Sequence, residues 1–301
     1  MTRPIVHAAP EWLRDLADDD AAAAVPEAVR WNLRGMLAWW EQYPGSMDFL
    51  DPAADNHALK ALQTRLYREA LGASLPSPGD APLRILDAAC GIGRFAVPLA
   101  RDGHTVHGID ACLPSLEAAA RHGAGLDGLR LTWGDVRALD ALGEAFAGEY
   151  DLVLAFELLC YLPDPGAVAA SLASRLRPGG RLIASVEAWP GALLSDAAGV
   201  RIEDLPEVRR TRVLAERDER WVRAGDRREA AAILRGAGLA PALVAGTHYI
   251  PDGPLAALLE HERVGEVAYD DAICEAELRL RADVEMGALP RAWLLVGERP
   301  R

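Results

Sequence analysis

The sequence predicts an α/β protein built on a doubly wound, mainly parallel sheet. From residue 83 onward, short apolar strand patterns alternate with helix patterns, which is typical of βαβ units with right-handed crossovers. Residues 71–82, LGASLPSPGDAP, are rich in turn formers and separate this region from a helical N-terminal part. The length of 301 residues allows one large domain or two small ones.

The alternation also places individual elements. Strands are predicted at Leu83–Ala88, His104–Ile109, Leu129–Trp133, Tyr150–Phe156 and Arg181–Glu187, with two more at Ala242–Tyr249 and Ala292–Gly297. Helices are predicted near residues 93–102, 114–123, 137–147 and 165–177. We expect the last helix to stop at Pro178-Gly179-Gly180, since proline and glycine do not continue a helix.

Two later segments have their own signals. Residues 201–228 are rich in arginine and are interpreted as a solvated surface hairpin or helix. Asp226, with Glu229 three residues later, has the pattern of a capping box. The helix that it opens is expected to end at Gly236 or Gly238.

We expect residues 1–82 to form a helical lid and residues 83–301 the main domain, with 190–225 and 250–290 as substrate-side insertions. The second insertion is mostly helical in pattern and too long for a hairpin turn, which predicts an extra element packed over the sheet. In the lid, the range Pro26–Tyr43 has one apolar helix face. A second predicted helix begins after Asp55 and carries on one side Leu59, Leu62, Leu66 and Ala70.

Charge and composition exclude several classes of function. With 32 basic and 45 acidic residues the net charge is −13, which repels phosphate backbones and anionic membranes, so we expect neither nucleic acid nor membrane partners. The four cysteines lack the CxxC spacing of a zinc site, so no metal is expected. The absence of a signal-peptide pattern and of long apolar runs predicts a cytoplasmic protein.

The segment RILDAACGIGRF, residues 84–95, carries the most specific chemical signal. An apolar strand ends at Asp87, and a turn with Gly91 and Gly93 then opens a helix. The glycines let the backbone approach a ligand closely, and the helix N-terminus favours an anionic group. A single motif of this kind also fits a dinucleotide fingerprint, so it does not identify the ligand alone.

Three carboxylates at successive strand ends narrow the choice of ligand. Asp87 precedes the glycines, where it would repel a pyrophosphate and attract an ammonium group. Asp110 ends the next strand, where a carboxylate can accept both hydrogen bonds of a ribose diol. Asp135 follows the third strand and can accept from an adenine amine. Because parallel strand ends meet at one edge, a ligand with adenine, ribose and an amino acid head fits this crevice.

This constellation resembles the class I S-adenosylmethionine-dependent methyltransferase family. The matching motifs are DxxCGxG at 87–93, Asp110, Gly134-Asp135, Phe156-Glu157 and LRPGGRL at 176–182. The resemblance is close over residues 83–188 and covers the final strands by position. It implies a Rossmann-like sheet of seven strands with an antiparallel last strand, S-adenosyl-L-methionine as cofactor, and a small-molecule methyl acceptor.

The resemblance also implies roles for single residues. Asp87 and the Gly91–Gly93 turn would hold the methionine moiety, Asp110 the ribose and Asp135 the adenine. Phe156 would lie beside the reacting methyl group. The full set of expected cofactor-binding residues is Asp87, Ala89, Gly91, Gly93, Asp110, Ala111, Asp135, Val136, Phe156 and Tyr43.

In-line methyl transfer mainly requires that the nucleophile, the methyl carbon and the sulfur are aligned. A general base is needed only where the nucleophile arrives protonated. The candidate catalytic residues are His248, Glu157 and Tyr161, with His248 the best single base because its ordinary pKa lies near neutrality. Nearby candidates of lower rank are Glu187, Trp189 and Tyr249. Trp39, Trp40 and Tyr43 either line the lid or form a helix packed on the sheet.

The acceptor, the methylated element (N, O or C) and the oligomeric state, a homodimer among the options, stay open. A role in bacterial specialised metabolism is one expectation. Two other functions remain as alternatives: a cofactor-binding relative that catalyses a step other than methyl transfer, and a nicotinamide-dependent oxidoreductase.

Overall fold

The computed structural model describes residues 6–7, 48–140, 142, 146, 148–162, 164–195, 198–215 and 221–301. Its strands are β1 (Val6–His7), β2 (Arg84–Ala88), β3 (Thr105–Asp110), β4 (Leu129–Trp133), β5 (Tyr150–Ala155), β6 (Leu176–Ala188), β7 (Val213–Ala215), β8 (Trp221–Gly225), β9 (Ala240–Thr247) and β10 (Ala292–Glu298). Its α-helices are α1 (His57–Leu71), α2 (Ala96–Arg101), α3 (Leu113–His122), α4 (Pro165–Ser174), α5 (Leu205–Thr211), α6 (Arg227–Gly236) and α7 (Val267–Ala282).

The strands form one mixed sheet in the order β1-β4-β3-β2-β5-β6-β10-β9. Neighbours from β1 to β6 pair in parallel, whereas β10 is antiparallel to both β6 and β9. This confirms the predicted doubly wound, mainly parallel sheet and its antiparallel last strand. The expected seven strands are all present, and three short strands extend the sheet beyond them: β1 pairs with β4, β8 with β6, and β7 with β8. These short additions carry too little periodic pattern to be found from sequence.

Some predicted boundaries were wrong. The helix expected to run to residue 177 ends at Ser174, and β6 already begins at Leu176 and passes through the proline and glycines. Pairing with β5 decides this, because Tyr150 pairs with Leu176 in the ladder. The helix expected at 137–147 begins as a single 3₁₀ turn, Val136–Ala138, and several residues of that range lie outside the described chain.

The core has a layer on each face of the sheet. Neighbouring strand residues Ile85 and Leu86 are both fully buried, on opposite faces, as expected for a strand covered by helices on both sides. On one face Leu86 packs among Phe146 and Leu172, and on the other Ile85 packs with Leu99. This rigid centre fixes the carboxyl ends of β2, β3 and β5 relative to one another.

The helix predicted after Asp55 is present as α1, and it packs against α7 of the second insertion. Leu62 and Leu66 of α1 are 1% exposed and lie in one cluster with Tyr269 and Ile273 of α7. The insertion is helical as predicted, and the helix α1 is one of the elements against which it packs. The other predicted lid helix, Pro26–Tyr43, lies outside the described residues.

The arginine-rich segment 201–228 contains both a helix and a hairpin, formed by α5, β7 and β8. Its apolar side is buried, with Leu214 and Val222 in a small cluster. The predicted capping box is confirmed, because Asp226 accepts from the Glu229 backbone N–H and the Glu229 carboxylate accepts from the Asp226 N–H. The helix ends at Gly236. No helix in the described ranges has the length and apolar character required to cross a bilayer.

Glu277 of α7 holds the turn that follows β9. Its Oε1 accepts the backbone N–H groups of Tyr249 and Ile250, each at 2.7 Å, and the side chain is completely buried. Burial raises the pKa of this carboxyl to about 7, although the two backbone donors and Arg281 act in the opposite direction. The insertion is thus tied to the sheet edge through a buried acid.

The raised pKa of Glu277 predicts a specific dependence of stability on pH. Between the ordinary value of 4.5 and about 7, the folded state binds more protons at this site than the unfolded state. The free energy of unfolding therefore falls as pH rises through that window, by up to about 3 kcal/mol. Glu277→Gln keeps an acceptor oxygen and should remove this slope in urea titrations at pH 5 and pH 7.5.

The matched control is Glu275→Gln, which changes an exposed acid on the same helix and should preserve the slope. Equal pH dependence in wild type and Glu277→Gln would show that Glu277 is not the titrating group.

Candidate active site

One cavity of about 470 Å³ opens at the carboxyl edge of the sheet, between α1 and the loops after β2 to β5. Such a volume is in the range of small-molecule sites. The predicted site residues that line it are Asp87, Ala89, Gly91, Asp110, Ala111, Asp135, Val136, Phe156, Glu157, Tyr161 and His248, and Glu187 joins them. The strand ends therefore bring together most of the residues selected from sequence.

Two expected cofactor residues are not among those lining the cavity. A Cβ on Gly93 would meet Val97 Cγ2 at 2.5 Å, so the glycine is required for the left-handed turn and the close packing of α2. Tyr43 lies outside the described residues, as do Trp39 and Trp40. Trp189 and Tyr249, the weaker catalytic candidates, also do not line the cavity.

Asp87 is a buried acid with an unused oxygen. The residue is 3% exposed, and its Oδ2 has no hydrogen-bond partner. Burial raises the pKa of this carboxyl to about 8, and the negative charge of Asp110 adds to the shift. An unsatisfied acid that is hard to ionise would gain a favourable partner from a bound ammonium group.

Asp110 fixes the glycine turn as well as facing the cavity. Its Oδ2 accepts from the Gly91 N–H at 2.7 Å, and its Oδ1 accepts from the Cys112 N–H at 2.8 Å. Burial raises the pKa of Asp110, and the backbone donors oppose that shift. Each carboxylate oxygen has a further lone pair, which leaves acceptor capacity for a ligand diol.

The Asp135 carboxylate already has hydrogen-bond and ion-pair partners within the protein, which the sequence did not indicate. It caps the 3₁₀ turn through the Arg137 N–H and forms a bidentate ion pair with the Arg137 guanidinium, at 2.9 Å to Nε and 2.6 Å to Nη2. Both side chains line the cavity. An adenine amine would have to share this carboxylate with Arg137, a residue that sequence reasoning did not select.

Backbone strain is concentrated around the cavity. Among the described residues other than glycine, five have positive φ, and four of these line the cavity: Ala89, Glu157, His248 and Asp252. Each such conformation costs free energy and persists only where surrounding contacts hold it, as is common at functional sites. For Glu157, the Ser185 hydroxyl accepts the backbone N–H at 2.7 Å.

An ion pair links the loop after β5 to the turn before α2, and a further hydrogen bond links this turn to α1. Arg94 Nη1 donates to Glu157 Oε1 at 2.7 Å, and Arg94 Nε donates to Thr64 of α1. The Tyr67 hydroxyl donates to the same Glu157 oxygen at 3.1 Å. Burial alone would raise the pKa of Glu157, but Arg94, Lys60 and His248 lower it to about 2. Glu157 is therefore an anion at neutral pH and a weak base.

His248 follows β9 and is buried against Tyr67, with 4.5 Å between ring centroids. Its Nδ1 has no hydrogen-bond partner. Burial lowers the pKa of this imidazole to about 4, with opposing contributions from Asp252 and Glu157. His248 is therefore neutral at pH 7 and able to accept a proton.

Sequence reasoning missed the contribution of α1. This helix and the segment before it supply to the cavity wall Phe49, Lys60, Gln63 and Tyr67. The apolar spacing of α1 located its buried face but not the polar residues beside it. One available signal was Lys60, the only lysine in the chain, and another is Gln63, a polar residue on an otherwise apolar face.

Comparisons with known proteins identify the family of this chain. A family model described as a methyltransferase domain matches residues 56–242. A ubiquinone biosynthesis O-methyltransferase of Caulobacter sp. (strain K31) is 33% identical over 175 residues, which is 58% of this chain and 64% of the relative. This match spans less than two thirds of that relative. The protein of the same name from Xanthomonas axonopodis pv. citri (strain 306) is 30% identical over 232 residues, covering 77% of this chain and 87% of the relative.

Solved structures show the same fold at low identity. The putative methyltransferase in complex with the Trm112 activator of Haloferax volcanii has a TM-score of 0.52 at 19% identity, covering 87% of this chain and 98% of that chain. The N-methyltransferase NodS of Bradyrhizobium japonicum WM9 has a TM-score of 0.50 at 14% identity, covering 88% of this chain and 98% of that chain. Together with the family model, the sheet order and the carboxylates at its edge, these findings establish that the chain belongs to the class I S-adenosylmethionine-dependent methyltransferase family.

Proposed function

We propose that the protein transfers a methyl group from S-adenosylmethionine to an oxygen atom of a small-molecule acceptor. The observation that carries the proposal is the convergence of Asp87, Asp110 and Asp135, from three neighbouring strand ends, on one cavity. The names of the Caulobacter and Xanthomonas relatives favour oxygen over nitrogen or carbon as the nucleophile. They point to ubiquinone biosynthesis, so the expectation of specialised metabolism finds no support there.

The residues of the cavity suit the proposed cofactor. The unpartnered Oδ2 of Asp87 would accept from its ammonium group, and Asp110 would accept from the ribose hydroxyls. Gly91 has φ +52°, and nothing lies within 4 Å of the position where its Cβ would be, so the turn leaves room for a ligand. When bound, the cofactor supplies a methyl group on a positively charged sulfur, which is already a strong electrophile.

The protein's part in the reaction is then alignment, desolvation and removal of one proton. The α1 residues and the strand-end loops enclose the cavity, which orders the acceptor and excludes water. His248 is the proposed general base, because its imidazole lines the cavity and is neutral at pH 7. Its pKa of about 4 makes it a weaker base than an ordinary histidine, on which the sequence-based ranking rested. Glu157, ionised and bound to Arg94, is better suited to orient Tyr67 and Arg94 than to accept a proton.

The proposed lid, residues 1–82, is supported by the part of it that is described. The Tyr67 ring packs against the Phe156 ring in a tilted arrangement, with 5.2 Å between centroids, and Thr64 accepts a hydrogen bond from Arg94. These contacts bring α1 to the position where an acceptor would meet the methyl group. The acceptor is therefore expected to contact α1 as well as the strand ends.

The first test measures binding of S-adenosylhomocysteine by calorimetry. Wild type should bind in the micromolar range, and Asp110→Ala should bind about 10- to 150-fold more weakly, because a charge-assisted hydrogen bond is worth roughly 1.5–3 kcal/mol. Asp127→Ala, which changes an exposed acid, should match wild type. Failure of the folded wild type to bind would refute the proposed cofactor.

The second test uses the raised pKa of Asp87. Near pH 7 its carboxyl is mostly protonated without ligand, since its pKa is about 8. An ammonium group beside it should expel up to about one proton per S-adenosylhomocysteine bound, and the release should vanish well above pH 8. Calorimetry in buffers of different ionisation enthalpy measures this number.

Asp87→Asn should abolish the release, while Asp80→Asn, an exposed control, should preserve it. Proton uptake, or release that persists in Asp87→Asn, would contradict the assignment of Asp87 to the ammonium group.

The third test concerns His248. With a phenolic acceptor that wild type methylates, His248→Gln should lower kcat by about 10²- to 10⁴-fold and leave S-adenosylhomocysteine affinity nearly unchanged. His261→Gln, an exposed control, should have normal kcat. Activity governed by His248 should decline only as pH falls towards 4, because the base must be deprotonated. A midpoint near 6.5 that disappears in His248→Gln would show that the imidazole is not buried as described.

A further inference from the structure

One cation in the cavity wall differs from the others. Lys60, in the first turns of α1, lines the cavity, and no described residue forms a salt bridge or hydrogen bond with its Nζ. Its one recorded contact is with the Phe49 ring, whose centroid is 5.9 Å from Nζ. That distance is at the outer limit of a cation–π interaction, so the ring cannot replace an anionic partner.

Every arginine of the described cavity wall has a carboxylate partner. Arg94 pairs with Glu157 at 2.7 Å and Arg137 pairs with Asp135 at 2.6 Å. Arg291 pairs with Glu187 at 3.3 Å and with Asp252 at 3.4 Å. The arginines therefore already use the acids nearest to Lys60, and the lysine is the wall's one cation without an ion pair among the described residues.

The surroundings make this arrangement unfavourable without a ligand. Burial lowers the pKa of Lys60, and Glu157 and Asp252 only partly restore it, while Arg94 and Arg291 lower it further. Arg94, a second cation, is 9% exposed, and its Nη2 also lacks a hydrogen-bond partner. A partly buried cation that has no ion pair with any described residue is costly, so an anion that arrives with a ligand would be bound strongly.

We propose that Lys60 is the anion-binding residue of the cavity and receives a carboxylate group of a bound ligand. The inference rests on the proposed function, which supplies two sources of such a group: the amino acid moiety of the cofactor and an acidic methyl acceptor. Glu157 is not a counterion reserved for Lys60, because it already forms an ion pair with Arg94 and accepts from the Tyr67 hydroxyl. Lys60 thus lets the cavity bind a negatively charged group, although acids outnumber bases among the other residues of the wall.

The single lysine permits a direct experiment on the intact protein. Labelling with lysine carrying ¹³C at Cε gives one side-chain NMR signal that needs no assignment, and its pH titration reports the pKa of Lys60. Four probes are compared in two pairs. The first pair is S-adenosylhomocysteine and methylthioadenosine, which lacks the amino acid moiety. The second pair, added to protein saturated with S-adenosylhomocysteine, is benzoate and its neutral isostere benzamide.

We expect a carboxylate probe to raise the pKa of Lys60 and its neutral counterpart to leave it unchanged. A rise with S-adenosylhomocysteine but not with methylthioadenosine identifies the cofactor as the source. A rise only when benzoate is added, and not with benzamide, identifies an acidic acceptor. No rise with either carboxylate, or equal shifts with charged and neutral probes, would overturn the proposal.

Variants give an independent measurement. Lys60→Met should weaken binding of the effective carboxylate by about 10- to 150-fold, and Lys60→Arg should retain most of the affinity. Arg68→Met, which removes a cation of α1 that does not line the cavity, should bind like wild type. If calorimetry detects no S-adenosylhomocysteine binding at all, the proposed function fails; if binding is normal and Lys60 is insensitive to carboxylates, only this inference fails.

Discussion

Burial of one carboxyl group, Asp87, beside a second acid, Asp110, is the constraint on which the site depends. Both lie at the ends of neighbouring parallel strands, and the sheet register pairs Asp87 with Gly108, two residues before Asp110. Burial and the neighbouring charge raise the pKa of Asp87 to about 8. The fold holds these acids in place because helices cover both faces of the sheet, so the side chains cannot move apart. A positively charged ligand group would therefore lower the energy of ionising the buried acid.

The other end of the cavity is organised by ion pairs. Arg94, in the turn between the glycines and α2, connects this turn with Glu157 after β5 and with Thr64 of α1. Tyr67 joins the same network through its hydroxyl, and its ring packs against the His248 imidazole. The cavity wall thus carries two sets of groups: the strand-end carboxylates, of which Asp135 is paired with Arg137, and the network of Arg94, Glu157 and Tyr67. This division suits a cofactor and an acceptor that meet between them.

The sequence predicted the part of this arrangement that depends on local pattern. Strand ends were found because apolar runs stop at acids, as at Asp87 and Asp110, and parallel strands bring their ends to one edge. The capping box at Asp226 was found because its signal lies within four residues. The assignment of Gly93 to the ligand stays a prediction, and the structure gives this glycine a second role, because a Cβ there would collide with Val97.

Contacts between segments that are distant in the chain could not be predicted from the sequence. The Arg94–Glu157 pair joins residues 63 positions apart, and the Tyr67–Glu157 bond joins residues 90 positions apart. Nothing in the spacing of α1 indicates that Lys60 and Tyr67 reach the strand ends. The end of the helix before β6 was also misjudged, because pairing of Leu176 with Tyr150 overrides the tendency of Pro178 and the following glycines to form a turn.

The most direct measurement is a crystal structure of the complex with S-adenosylhomocysteine. The account predicts the amino acid head beside Asp87, the ribose diol on Asp110 and the adenine next to Asp135, all within hydrogen-bond distance. A ligand bound elsewhere, or one that contacts only one of these three carboxylates, would contradict it.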